Sequence, residues 1–161
     1  MKEIDKKVID QLNKDCLESP RNRAHYNIHP TLDDPIQRLC ISAGKGTYIR
    51  PHRHIEEGKF ELFIILQGTA TIIIFDKDGT IISRSELSED KTRAVEIPPH
   101  KWHTLVVHSQ SVLMEFKPGP YAPLSEKDFA KWAPEEKAPN AKEFEKRIRN
   151  AKVGDNVCNL K

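Results

Sequence analysis

The sequence predicts an all-β protein, an antiparallel barrel or sandwich with a short helix before it and helical segments after it. Three observations carry that expectation. Between about Arg23 and Lys117, short runs rich in Ile, Val, Leu, Phe and Thr follow one another closely. Turn-forming pieces such as SAGKG, DKDG and IPPH separate them. No apolar pattern of helical period lies between them, as the crossover helices of a parallel sheet would require.

The elements follow in order. Ile4, Val8, Ile9 and Leu12 recur at helical spacing, and SPRN at residues 19–22 breaks the pattern, so an amphipathic helix ends near Cys16. The β-type runs are IQRLCIS, GTYIRPHRH, FELFIIL, TATIIIF, TIISRSEL, AVEIP, HTLVVH and SVLMEFK. Asp78-Gly79 between TIIIF and TIIS reads as a hairpin turn, because glycine readily takes the positive φ such a turn needs. In the run ending at Phe75, Ile72 and Ile74 face one side and Ile73 and Phe75 the other. Both faces therefore require cover, from a second sheet, a terminal helix or another subunit, and a homodimer fits that requirement. After Pro118 the chain becomes charged and proline-punctuated. Ser125 with Asp128 caps a short helix over DFAKW in this reading, and Asn140 with Glu143 resembles a capping box for EFEKRIRNA. The expected organisation is a helical lead-in over 1–22, a barrel over 23–120 and a helical or flexible extension over 121–161.

With 161 residues, the chain fits one domain. Lys plus Arg number 26 and Asp plus Glu 24, spread along the sequence, which disfavours nucleic acid and membrane surfaces as partners and favours a small molecule. The polar start MKEIDKKVIDQLNKD lacks the apolar stretch of a signal peptide, so a cytoplasmic location is expected. Cys16, Cys40 and Cys158 are odd in number and lack CxxC spacing, which argues against a disulfide framework or a thiolate zinc site.

The candidate chemistry lies in RPHRHIEEGKFELFIILQG, residues 50–68. On a strand, His52 and His54 share a face, offering two imidazoles to one ion, while Arg53 points away. A hairpin over 53–60 returns Glu61 to their side. IPPHKWHTLVV then places His103 at the start of another apolar run. Three imidazoles and a carboxylate suit one divalent transition metal ion, Zn, Fe, Mn or Ni, with Cu also compatible. By parity, Tyr48 and Arg50 line the same pocket, and Arg23, His25, Asn27 and His29 form a stripe with one edge toward it. His25, His100 and His108 have no partner spacing and read as surface or supporting residues. Trp102 is expected outside the barrel, and Trp132 is expected to dock the C-terminal segment.

Gly46, His52-x-His54, Glu61 and Gly68 resemble the first motif of the cupin superfamily, and Pro98-x-His100-x-x-His103 resembles the second. The resemblance implies a jelly-roll β-barrel with metal ligands at His52, His54, Glu61 and His103. The gap before Glu61 is longer than in the commonest pattern, which leaves Glu56 or Glu57 as alternative carboxylates. His100 stands where the second motif has glycine, and Val107 where it has asparagine. SPRNRAHYNIHP, DPIQRLCIS, YIRPHRH, FELFIILQG, IPPHKWHT and KPGPYAPLSEKDFAKWAPEE, in this order, resemble the WbuC-type cupin-fold metalloproteins. That family implies a setting in bacterial surface-polysaccharide (O-antigen type) functions. The expected function is a metalloenzyme, an isomerase, epimerase or oxygenase, acting on a sugar or other small polar metabolite. Glu115 or a histidine would serve as base. The alternative is a non-catalytic, metal-dependent sugar-binding or regulatory cupin.

Overall fold

A computed structural model describes residues 1–159 of the chain. Helix α1 (Lys6–Glu18) precedes eight strands: β1 (Arg23–Asn27), β2 (Ile36–Ala43), β3 (Glu61–Gln67), β4 (Ala70–Phe75), β5 (Ile81–Leu87), β6 (Ala94–Ile97), β7 (Trp102–Val107) and β8 (Ser111–Pro118). A single 3-10 turn (Glu126–Asp128) and helix α2 (Ala141–Asn150) follow. The strands pair antiparallel in two sheets, ordered β1-β2-β8-β3-β6 and β5-β4-β7. Facing each other, they form a jelly-roll barrel, the cupin fold.

Alternation along the strands divides the apolar residues between two cores. Ile41, Phe63, Ile65, Ile72, Leu105 and Leu113 fill the space between the sheets. Ile73, Phe75 and Val106 point the other way, from the outer face of the three-stranded sheet. The chain's own C-terminal part covers that face: Phe144 and Ile148 of α2, with Ala130, Ala133 and Val157, pack on it. Trp132 lies between Phe75 and Phe144, its ring centroid 5.1 Å from the first and 6.3 Å from the second. Burying a Phe or Ile side chain in this way contributes about 1.5–3 kcal/mol, so the extension is bound into the fold. Cover for the second face of β4 thus comes from a terminal helix.

At its start, α1 is capped by the Asp5 carboxylate, which accepts from the Val8 N–H at 2.9 Å, and it buries Leu12 and Cys16. It runs two residues past the expected end before Ser19 closes it. The Asp78-Gly79 turn joins β4 to β5, with Gly79 at φ +86° and the Asp76 carboxylate accepting from the N–H groups of Asp78 and Thr80. At Gly68 (φ +82°) a Cβ would lie 2.4 Å from the Gln110 carbonyl oxygen, so only glycine fits between β3 and β4.

Four expectations need correction. Among the described residues, GTYIRPHRH forms no ladder and pairs only through a bridge at His52, with His103 on one side and Phe129 on the other. Pro51 lacks the N–H that a ladder would use, and the 128–130 segment replaces a neighbouring strand. RAHYN, without apolar alternation, becomes strand β1 by pairing along its length with β2. Asn140 makes no side-chain capping bond to α2 among the described residues, so the capping box does not form. Ser125 does engage Asp128, through both its N–H and its hydroxyl, but the result is one 3-10 turn.

Candidate metal centre

His103 is the second residue of β7, and Glu61 is the first residue of β3. His52 and His54 lie on the extended segment beside β7. There His52 and His103 exchange both backbone hydrogen bonds, at 3.0 and 2.8 Å. The His54 carbonyl accepts from the His100 N–H at 2.8 Å. His100 has φ +66°, so the position where the motif has glycine keeps the left-handed turn that glycine would supply. These bonds tie the two histidine-bearing segments to one another before any ligand is bound.

Side-chain donor atoms of His52, His54, Glu61 and His103 all lie within 4.8 Å of one another. His54 Nε2 is 3.0 Å from Glu61 Oε1, and His103 Nε2 is 2.7 Å from Glu61 Oε2. His52 Nδ1 sits 3.0 Å from the Arg50 carbonyl oxygen and His103 Nδ1 2.8 Å from that of Lys101. A neutral ring that donates from Nδ1 keeps its Nε2 lone pair for a metal, the usual arrangement around histidine ligands. His54 Nε2, Glu61 Oε2 and His103 Nε2 are buried without a hydrogen bond of good geometry among the described residues. Orphaned buried polar atoms are costly. Converging lone pairs of this kind suit a cation, so the four residues could hold a metal ion.

Electrostatics follow from burial and proximity. Burial alone would raise the Glu61 carboxyl, but hydrogen bonds and charge from His103, then His54, and the charge of Lys117 hold it well below the usual carboxylate range. Burial would likewise lower His103, and Glu61 outweighs it, so its imidazole lies above the ordinary value. Burial and the neighbouring His103 push His52 down to about 3.

Two residues on β8 complete the network. Lys117 Nζ lies 3.3 Å from Glu61 Oε1 and 2.5 Å from Glu115 Oε1. Burial raises the Glu115 carboxyl despite Lys117, and the two carboxylates raise Lys117 despite its burial. The sequence signals Glu115 and Lys117 only by shared parity on one strand. The role of Lys117 is not legible from its own strand, because its partner Glu61 comes from β3.

The other expectations sort by position. Glu57 is exposed, with its Oε1 3.5 Å from His100 Nε2, and Glu56 is also exposed, so the structure brings Glu61 and not these to the histidines. Arg53 points outward, its guanidinium 4.3 Å from the centroid of half-buried Trp102. Arg50 lines the barrel chamber, but Tyr48 does not. Its ring packs against Phe144 at 6.1 Å and its hydroxyl donates to the Pro134 carbonyl, because the segment lacks the strand regularity on which parity depends. Of the stripe, Arg23 and His25 reach the chamber, while Asn27 is exposed and His29 is buried beside the Arg38 carbonyl. His108 bonds Thr71 away from the histidine cluster. Phe129 and Leu124, from the C-terminal extension, also line the chamber.

Among solved structures the chain is similar to a salicylate 1,2-dioxygenase from Pseudaminobacter salicylatoxidans, at 13% identity and TM-score 0.55, covering 73% of this chain and 34% of that one. It is also similar to the protein CapF, solved with the inhibitor 3-isopropenyl-tropolone, at 22% identity and TM-score 0.52, covering 62% of this chain and 29% of that one. A cupin superfamily protein from Desulfitobacterium hafniense matches at 18% identity and TM-score 0.48, covering 60% of this chain and 76% of that one. No curated protein matches. Among the described residues, no helix is long and apolar enough to cross a membrane. Residues 4–87, more than half of the chain, match the family described as a domain of unknown function (DUF6016), and the chain belongs to that family.

Proposed function

We propose that the chain binds one divalent transition metal ion through His52, His54, Glu61 and His103 and acts on a small molecule that reaches the ion from the barrel chamber. The observation that carries this reading is the convergence of His54 Nε2, Glu61 Oε2 and His103 Nε2, buried against one another with no hydrogen bond of good geometry to other groups among the described residues. Such atoms each cost about 1–3 kcal/mol if nothing meets them. A bound divalent ion supplies Lewis acidity, or redox chemistry if it is iron, at positions the four ligands leave open. The chain's own residues do the rest. The Arg50 and Lys101 carbonyls orient two imidazoles, Lys117 holds the Glu61 carboxylate, and Ile49, Phe63, Ile72 and Leu105 line the chamber beside them. The WbuC-type segments support membership of that subfamily and a setting in surface-polysaccharide functions.

One observation favours a second reading, a non-catalytic binding cupin. Glu115, the other buried acid on the chamber, is tied to Lys117 and is not poised as a base. Turnover of candidate metabolites under defined metal loading separates the two. The enzyme reading expects turnover that is lost with the metal in His52→Ala and His103→Ala; tight binding without turnover would establish the alternative.

A further inference from the structure

Charges that are spread evenly along the sequence are not spread evenly over the surface. A cleft of about 620 Å³ lies where the turn after α1, the 45–48 segment and one face of α2 meet. Its lining carries seven cations against two carboxylates, on a chain whose formal net charge is only +2. Both carboxylates are engaged: Glu136 Oε1 accepts from Arg23 Nη2 at 2.5 Å, and Glu145 Oε1 from Arg149 Nε at 3.0 Å. Arg21, Lys45, Lys137, Lys142 and Lys146 remain. All five are exposed, and among the described residues none of their side-chain cations meets an acceptor.

Contacts between residues far apart in sequence hold the cleft in shape. Thr47 Oγ1 donates to the Arg21 carbonyl at 2.8 Å and Asn22 Nδ2 to the Lys45 carbonyl at 3.1 Å, which fixes the backbone of two of these cations. Arg23 Nη1 donates to the Tyr48 carbonyl at 2.8 Å, and the Tyr48 ring packs on Phe144 of α2 at 6.1 Å. A Cβ at Gly46 would lie 3.8 Å from Arg149 Nη2, so the loop and the helix approach closely. Lys142, Lys146 and Arg149 recur at helical spacing and bring one face of α2 to the cleft. Five like charges gathered this way repel one another, and salt screens the repulsion only in part. A phosphate carries about −1.5 to −2 at neutral pH, so two or three phosphates match the five charges. The volume is that of a small-molecule site. Single-stranded nucleic acid is bound instead in a groove that tracks its backbone, with aromatic rings for its bases, and the lining here has one aromatic residue, the buried Tyr48.

We infer that this cleft binds a small molecule bearing a diphosphate or two phosphate groups, held by Arg21, Lys45, Lys137, Lys142 and Lys146. Arg21 and Arg23 line the barrel chamber as well, so the cleft adjoins it, but the inference does not rest on the metal-site reading. Titration calorimetry with inorganic pyrophosphate and orthophosphate tests it, on chelator-treated wild type and on His103→Ala, so that coordination to a metal contributes nothing. Pyrophosphate is expected to bind about tenfold or more tighter than orthophosphate, an increment ordinary for one added charge-assisted contact. Lys142→Gln with Lys146→Gln should weaken pyrophosphate by about tenfold or more. Lys7→Gln with Lys14→Gln, which removes the same charge off the cleft lining, should change it by less than about twofold.

Equal affinity for orthophosphate, an unchanged affinity in the cleft variant, equal losses in the two double variants, or no pyrophosphate binding at all would each overturn the inference. Lys45→Gln, on a different wall, repeats the test should the α2 variant fail to fold. Pyrophosphate binding lost in His103→Ala and kept in the cleft variant would place the anion at the candidate metal centre and overturn the cleft. A ten-nucleotide oligothymidylate that binds tighter than pyrophosphate at physiological salt would overturn it in favour of a nucleic-acid surface. Pyrophosphate bound in the cleft of a protein that carries no metal would sustain this inference while the metal reading fails.

Discussion

Replacing Lys117 by Met removes the one ammonium shared by two buried carboxylates. At an effective dielectric of about 20, unit charges at the observed 2.5 and 3.3 Å attract by about 7 and 5 kcal/mol before desolvation is subtracted. The Lys117 side chain is 19% exposed, so screening by solvent is weak. Deleting one partner of a buried pair costs about 3–5 kcal/mol net, because the abandoned charge stays buried. For a chain of this size that corresponds to a fall in Tm of roughly 6–20 °C. The loss should depend on pH with a definite sign. Glu115 already has its carboxyl raised by burial, and without Lys117 nothing opposes that shift. A carboxyl whose folded pKa exceeds its unfolded value binds more protons when folded, so the variant regains stability as pH falls through the raised value. Urea unfolding of metal-free wild type and Lys117→Met at pH 8 and pH 5.5 measures both effects. A loss under about 1 kcal/mol at pH 8, or a gap that widens in acid, would refute the reasoning.

Metal affinity should fall with pH, because ligands must lose their protons to coordinate. His103 lies above the ordinary value in the metal-free protein, so competition sets in at higher pH than for an unperturbed imidazole, at about tenfold per pH unit once below it. His52, pushed down to about 3, should add none near neutrality. Chelator competition between pH 8 and pH 5.5 checks this, and a flat profile contradicts it. Phe144→Ala should cost about 3–5 kcal/mol by opening a cavity beneath α2, read as a fall in urea midpoint. A change under about 1 kcal/mol would mean that the extension is not bound into the core. His100→Gly should be neutral or stabilising by up to about 1 kcal/mol, since relief of the left-handed backbone is partly offset by glycine's chain entropy. Clear destabilisation would show that the His100 side chain, not its φ, matters there.

Much of the site was legible because period-two alternation and motif spacing are local properties. His52, His54, Glu61 and His103 converge as their spacing predicts, and Ile72 and Ile73 part to opposite cores as their strand parity predicts. What was hidden depends on partners distant in sequence. RAHYN becomes a strand only because β2 lies beside it. Tyr48 leaves the chamber because Phe144 and the Pro134 carbonyl, nearly a hundred residues on, attract it to the outer core. Lys117 joins the centre through Glu61 on a neighbouring strand. Phe129 reaches the chamber by bridging His52 from the C-terminal extension, where a reading of short local patterns has no means to place it.

The central claim, that these three histidines and Glu61 hold an ion, is tested most directly by elemental analysis of protein purified without chelator, alongside Glu61→Ala and Glu57→Ala. Wild type and Glu57→Ala should each carry about one transition metal ion per chain, and Glu61→Ala should lose most of it, since removing a first ligand costs at least the 10–100-fold seen for supporting residues. A metal-free wild type, or a Glu61→Ala variant that keeps the ion while Glu57→Ala loses it, would contradict the account.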